Sequence, residues 1–197
     1  MTTNNTNMRT SRECIQLDPE KKIKIKIDTY GNVLYVNNYF SQLTKLSISD
    51  VILKDISTFF DYDMPKIASK LILEELQKND SYYVYKGKIK NNGCYWGFVK
   101  SIAEYNEQNE LKGYLLEVKM LPLKAISKID KLCDILNEIE KNAGLSAAEK
   151  YFYGYIEDKG MTMENFIFNI AEVNKKQAEK YFQIDQDAPN KKKRNWF

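Results

Sequence analysis

Ile23-Lys-Ile-Lys-Ile-Asp28-Thr-Tyr-Gly-Asn32-Val33-Leu-Tyr-Val36 is the stretch that decides the fold. Its first half alternates apolar and charged residues. A strand sends successive side chains to opposite faces, so Ile23, Ile25 and Ile27 share one face and Lys24 and Lys26 the other. Thr29 to Asn32 interrupts the alternation, and Gly31 supplies the backbone freedom of a tight turn. Val33 to Val36 reads as a second strand, which makes the pair a hairpin.

Outward from the hairpin, Asn37 to about Phe60 breaks into short helical pieces. Asn37 or Asn38 is placed to cap the first, and Ser47 or Ser49 another. Pro65 stands where a helix tolerates proline, in the first turn, and opens a helix to about Lys78. Tyr82 to Lys90 and Cys94 to Ala103 read as strands joined by the turn signal Asn91-Asn-Gly93. Leu111 to Met120 is a last strand after a polar loop. The class is α+β: five antiparallel strands with helices packed on one face.

Past Pro122 every pattern is helical. Leu123 to Lys141 carries Ile126, Ile129, Leu132, Cys133, Leu136 and Ile139 near helical spacing. Ser146-Ala-Ala-Glu149 has the form of a capping box for a helix to Glu157. Thr162 is set to cap a last helix to about Phe182. The expected division is a flexible leader over 1–21, a sheet-and-helix domain over 22–121, a helical extension over 122–185 and a basic tail over 186–197.

Composition narrows function. Thirty basic and 27 acidic residues leave a net charge of +3 in 197 residues, too balanced to point to nucleic acid. With no histidine, the commonest general base and zinc ligand are missing. Cys14, Cys94 and Cys133 read as isolated thiols of a reducing compartment, without a disulfide framework. No signal peptide and no membrane-length apolar run is visible, so a cytoplasmic protein is expected.

The element order, with Asp28-x-x-Gly31-x-Val33-x-Tyr35-Val36-Asn37, resembles the opening of PAS domains. Asp63-Met-Pro-Lys66, followed 28 residues after Asp63 by Asn91-x-Gly93-x-Tyr95-Trp96, resembles more narrowly the PAS domains of bacterial aerotaxis and energy-taxis receptors and their short stand-alone relatives. That likeness covers about half the chain. It implies a PAS fold, a sensory role and FAD as the candidate cofactor. Asn37, Phe60, Asp63, Leu73 and Trp96 are the pocket positions it implies. Where the family usually has Arg-His-Pro before Asp-Met-Pro, this chain has Phe60, Asp61 and Tyr62. The lost cation and the added carboxylate disfavour a phosphate-bearing ligand, so a chamber without FAD is expected.

Plainer readings compete at each position. Asp63 to Pro65 also suits a helix start. Tyr95 and Trp96 face opposite ways on a strand, so at least one packs in a core. Tyr82, Tyr83 and Tyr85 fit sheet propensity better than a partner surface. Asp61 with Asp63 lacks a third metal ligand and reads as a solvated loop. Cys94 reads as a small buried residue rather than a redox sensor. Lys191 to Arg194 with Trp196 and Phe197 reads as a solubilising tail, with peripheral contact to an anionic membrane as the sharper alternative. No nucleophile–base pair, phosphate loop or metal cluster supports an enzyme. The expectation is a signalling protein that relays by contact with a protein partner, a membrane-bound receptor or a second copy included. The alternative is a degenerate PAS domain acting as a ligand-free adaptor.

Overall fold

The computed structural model describes residues 14–76, 78 and 80–183. Strands β1 (Ile23–Asp28) and β2 (Val33–Val36) form the hairpin. Helices α1 (Asn38–Thr44), α2 (Ile48–Val51) and α3 (Lys66–Leu76) follow, with a 3-10 turn at Ile56–Phe59. Strands β3 (Tyr82–Ile89), β4 (Gly93–Tyr105) and β5 (Leu111–Met120) complete an antiparallel sheet of order β2-β1-β5-β4-β3. Helices α4 (Leu123–Ala143), α5 (Leu145–Asp158), α6 (Met163–Ala171) and α7 (Lys175–Gln183) end the described chain.

Local chemistry accounts for the early elements. The Asp28 carboxylate accepts hydrogen bonds from the backbone of Tyr30 and Asn32 and from the Asn32 side chain, and Gly31 takes φ +88° to close the turn. Asn37 caps α1: its Oδ1 accepts from the amides of Phe40 and Lys24, and its Nδ2 donates to the Lys22 carbonyl. Ser47 and Asp50 form a capping box around α2. Thr162 caps α6 as expected. Two expectations are corrected. Helix α5 begins one residue before Ser146, with Gly144 at its N-cap and no side-chain cap. The last helical stretch is broken in two at Glu172, which sits at φ 58°.

The sheet has two covered faces. Ile23, Ile25, Ile27, Tyr85, Tyr95, Val99, Leu116 and Val118 pack beneath α1 and the 3-10 turn with Phe40, Ile56 and Phe59. Tyr82, Val84, Trp96 and Phe98, on the opposite face, pack against Leu132, Leu136, Phe152, Phe168 and Phe182 of the C-terminal helices. The sheet is therefore sandwiched, rather than covered on one face. Helix α3 straddles both layers, with Ile72 and Leu76 on the first and Ile67 and Leu71 on the second.

The described part of the leader is anchored, against the expectation of flexibility. Cys14 and Cys94 form a disulfide across 80 residues, with Cα atoms 4.5 Å apart, which corrects the reading of isolated thiols. Strand β5 stops opposite Gly97, and Ile15 takes the vacated edge: it pairs with Tyr95 and donates to the Cys94 carbonyl at 2.8 Å. Leu17 is buried beside it. Residues 1–13 and the basic tail lie outside the described residues.

Candidate functional site

The first candidate site is the chamber between the sheet and the early helices, called here the inner face. Large side chains fill it. Phe60 lies 5.8 Å from the Tyr85 ring, and Tyr85 meets Tyr95 edge-on at 5.6 Å with their hydroxyls hydrogen-bonded. Burial pushes both phenols well above the usual tyrosine range and keeps them neutral. Two glycines admit this packing. A Cβ on Gly87 would stand 2.3 Å from the Tyr95 ring, and one on Gly97 2.3 Å from Val118. The remaining void is about 10 Å³, lined by Ile25, Ile56, Phe60, Tyr83, Tyr85, Val99, Leu116 and Val118.

Solved structures provide the comparison for this arrangement. The light-state structure of the blue-light photoreceptor Aureochrome1 LOV superposes with TM-score 0.50 at 11% identity, over 55% of this chain and 88% of that one. A light-oxygen-voltage domain studied with a flavin analogue gives 0.48 at 17% identity, over 56% and 87%. The PAS domain of the fruit-fly ELK potassium channel gives 0.45 at 16%, over 50% and 85%. The chain has the PAS fold. No family model matches the sequence, nor does any curated protein. The aerotaxis likeness is therefore left on its motif residues alone.

The PAS chamber does not fit a flavin. Ligand pockets run to roughly 300–1,000 Å³, and the inner void is about 10 Å³. Of the five predicted pocket residues only Phe60 lines it. Asn37 is committed to capping, with both side-chain polar atoms bonded to backbone. Leu73 is exposed on the solvent side of α3. Asp63 is half-buried in the loop before α3, where its carbonyl accepts from Asn137 of α4. Trp96 lies on the outer face, so the chamber placement is corrected: β4 alternation turns Tyr95 inward and Trp96 outward. Asp61 does lie in a loop, but the expectation that it is solvated is corrected. It is 2% exposed, and its Oδ1 accepts from the Asp63 amide at 3.0 Å. Tyr82, Tyr83 and Tyr85 are all buried. Among the described residues no group of three or more acidic or cysteine side chains is placed to hold a metal, and no helix is long and apolar enough to cross a membrane.

The richer chemistry lies where the PAS unit meets the C-terminal helices. Glu140 of α4 caps α3: its carboxylate accepts from the amides of Lys66 at 3.0 Å and Ile67 at 2.7 Å. These are orphan donors of a helix start, where negative charge is also favoured by the helix dipole. Trp96 donates to Asp130 of α4 at 3.2 Å, and the Lys86 ammonium sits 3.5 Å from the same carboxylate and 5.5 Å from the indole ring. Lys70 of α3 pairs with Glu149 of α5 at 2.7 Å. At the far end, Lys22 donates to the Phe182 carbonyl and pairs with Glu117 at 2.8 Å. Lys119 donates to the Tyr181 carbonyl and lies over its ring. Two cations thus meet the C-terminal carbonyls of α7, the favourable sign for that end of a helix.

A second void, about 60 Å³, lies at this junction. Leu71 and Ile72 of α3, Tyr83 and Val84 of β3, Leu132 and Cys133 of α4, Phe152 and Phe166 line it, with Glu75 as the one charged member. Tyr83 lines both voids. Burial is the sole cause of the raised pKa of its phenol, and no described residue relieves its hydroxyl with a hydrogen bond. The Cys133 thiol is buried in the same cluster and pushed up to about 12, chiefly by desolvation, so it stays protonated and inert. Among these junction residues the sequence singles out Asp63, Tyr83, Trp96 and Cys133, but not Lys70, Asp130, Asn137 or Glu140. Glu140 and Asn137 looked like ordinary polar positions of an amphipathic helix.

Proposed function

We propose that this chain is a signalling module of the PAS fold that acts by contact, with its C-terminal helices as the element that reads the PAS unit. One observation carries the reading. Helix α4 holds the Asp63–Ile67 segment through Asn137 and Glu140 while it packs on the outer sheet face through Asp130. A shift in the chamber wall at Phe60 or Met64 reaches α4 through a few bonds, and a shift in α4 reaches the wall the same way. Ile135, Leu145, Tyr151 and Tyr153 leave apolar surface on the outward sides of α4 and α5, which suits a protein partner. A membrane-bound receptor belongs to this class of partner; the cytoplasmic location expected from the sequence loses the support of reduced thiols, because the Cys14–Cys94 disulfide suits an oxidising compartment.

The packed inner chamber favours the adaptor form of this proposal, in which no flavin is held and shape alone is relayed. Two measurements test it. Protein purified from its native cell should show no flavin absorbance, and excess FAD should leave the melting temperature unchanged. Partner capture from the same cell should fall in an Asn137→Ala/Glu140→Ala double variant that still folds. Flavin released on denaturation would sink the adaptor form. Undiminished capture by the double variant would sink the relay.

A further inference from the structure

We infer that the junction void between α3, β3 and the C-terminal helices is a binding site for a small neutral molecule with an apolar body and one hydroxyl, such as a short-chain alcohol. It is a different place from the PAS chamber, which the inner side chains fill. The site stands whether or not the relay reading holds.

Three features define the ligand. The first is the lining, which is aliphatic and aromatic apart from Tyr83, Glu75 and Cys133. An apolar body gains by leaving water for such a surface. The second is Tyr83, a residue 3% exposed whose hydroxyl has no hydrogen bond from the described residues. A phenol both donates and accepts, so a ligand hydroxyl matches it whichever way the proton lies. The third is charge. The lining includes no cation, and its one ionisable carboxylate, Glu75, is paired with Lys78. A carboxylate ligand would enter without a counter-ion and beside a like charge, which disfavours fatty acids. Size sets the upper bound. The void of about 60 Å³ is roughly four to six times the 10–15 Å³ that one water needs, enough for a chain of a few non-hydrogen atoms.

The location gives occupancy a consequence. The void is walled by α3 on one side and by α4, α5 and α6 on the other, so a ligand there touches the elements that Glu140 and Lys70 tie together.

The test is a methyl NMR titration of the whole chain with 1-butanol, with butyrate as the charged match. Saturable shifts are expected at Leu71, Ile72, Val84, Leu132 and Ile167, while the exposed Leu34 and Leu53 move little and linearly. Butyrate should bind at least about tenfold more weakly, and filling the void with Ala68→Leu should weaken 1-butanol by at least about tenfold. Tyr83→Phe should keep xenon binding and lose the preference for 1-butanol over xenon. Non-saturating shifts at the lining methyls mean a void that holds water only, and overturn the site. Equal binding of butyrate, or full 1-butanol binding in Tyr83→Phe, overturns the assigned ligand class even if Ala68→Leu does not fold.

Discussion

The two faces of the sheet are held by different physics. The inner face is an almost closed hydrophobic core: Phe40, Tyr95 and Val99 are 1% exposed, and its caps are satisfied by neighbours close in sequence, as at Asn37 and Ser47. The outer face is half apolar and half ionic. Tyr82, Trp96 and Phe98 meet aromatic rings of the C-terminal helices, while Lys22, Glu117 and Lys119 lie buried under α7 at 4%, 7% and 3% exposure. It also contains the larger void. Close-packed apolar cores change little without losing much energy. Buried ion pairs and unfilled space give less net stability but define a particular docked arrangement. The inner face thus secures the fold, and the outer face is the less tightly packed of the two.

The contrast breaks if the two faces prove equally costly to damage. Phe40→Ala should lower stability by about 3–5 kcal/mol in urea unfolding with the slope unchanged, because a buried phenyl is lost from the common core. Phe182→Ala removes a ring about as buried, 5.3 Å from Phe98, but from a short helix that packs on the outer face alone. Its cost should be smaller, with amide protection lost first in α7. A Phe182→Ala penalty equal to that of Phe40→Ala, with uniform loss of protection, would erase the distinction.

The disulfide comes next in size. Cys14–Cys94 closes a loop of 80 residues and fastens the leader to the start of β4. Reduction, or Cys14→Ala, should cost about 2–4 kcal/mol, read as a drop in urea midpoint relative to the oxidised protein. No change on reduction would show that the bond adds nothing to the edge pairing of Ile15. The ionic patch should give less. Lys22→Met leaves Glu117 buried with Lys24 still 4.0 Å away, so a loss of about 1–3 kcal/mol is expected. Lys22→Met/Glu117→Leu should return near the parent stability, since an apolar pair of similar size replaces a buried ion pair without penalty. A double variant worse than the single would mean that the ion pair itself supplies net stability.

Much of this was legible in the sequence, for reasons that also explain the gaps. The alternation at Ile23–Asp28, the glycine turns and Pro65 report local geometry, and each element they mark is present. The charged phase of β1 and β5 was not legible as buried. Lys22, Glu117 and Lys119 occupy the alternate positions that face water in a sheet covered on one side, and the docking of α7 makes them interior. Alternation separates Tyr95 from Trp96 but does not say which faces the chamber. The disulfide and the Glu140 cap join residues 80 and 73 positions apart, beyond any local pattern. The apparent capping box at Ser146 misled because Gly144 already turns the chain there at φ +86°.

The smallest effect isolates the contact between the faces. Glu140 offers one carboxylate oxygen to each of two amides, Lys66 and Ile67. Glu140→Gln keeps one good acceptor and loses the second along with the charge. Glu140→Ala loses both. Helix N-caps are worth about 0.5–2 kcal/mol, so Ala should cost about 1 kcal/mol and Gln about half of that. The size of the loss is less informative than its place. Because the acceptor belongs to α4 and the donors to α3, exchange should rise at the amides of Lys66 and Ile67 without any rise at Phe40, whose cap by Asn37 is local in sequence. If both caps loosened together, the two faces would be a single cooperative body and α4 could report nothing that the whole fold did not. If only the α3 start loosens, α4 is an independent reader of the segment that walls the chamber.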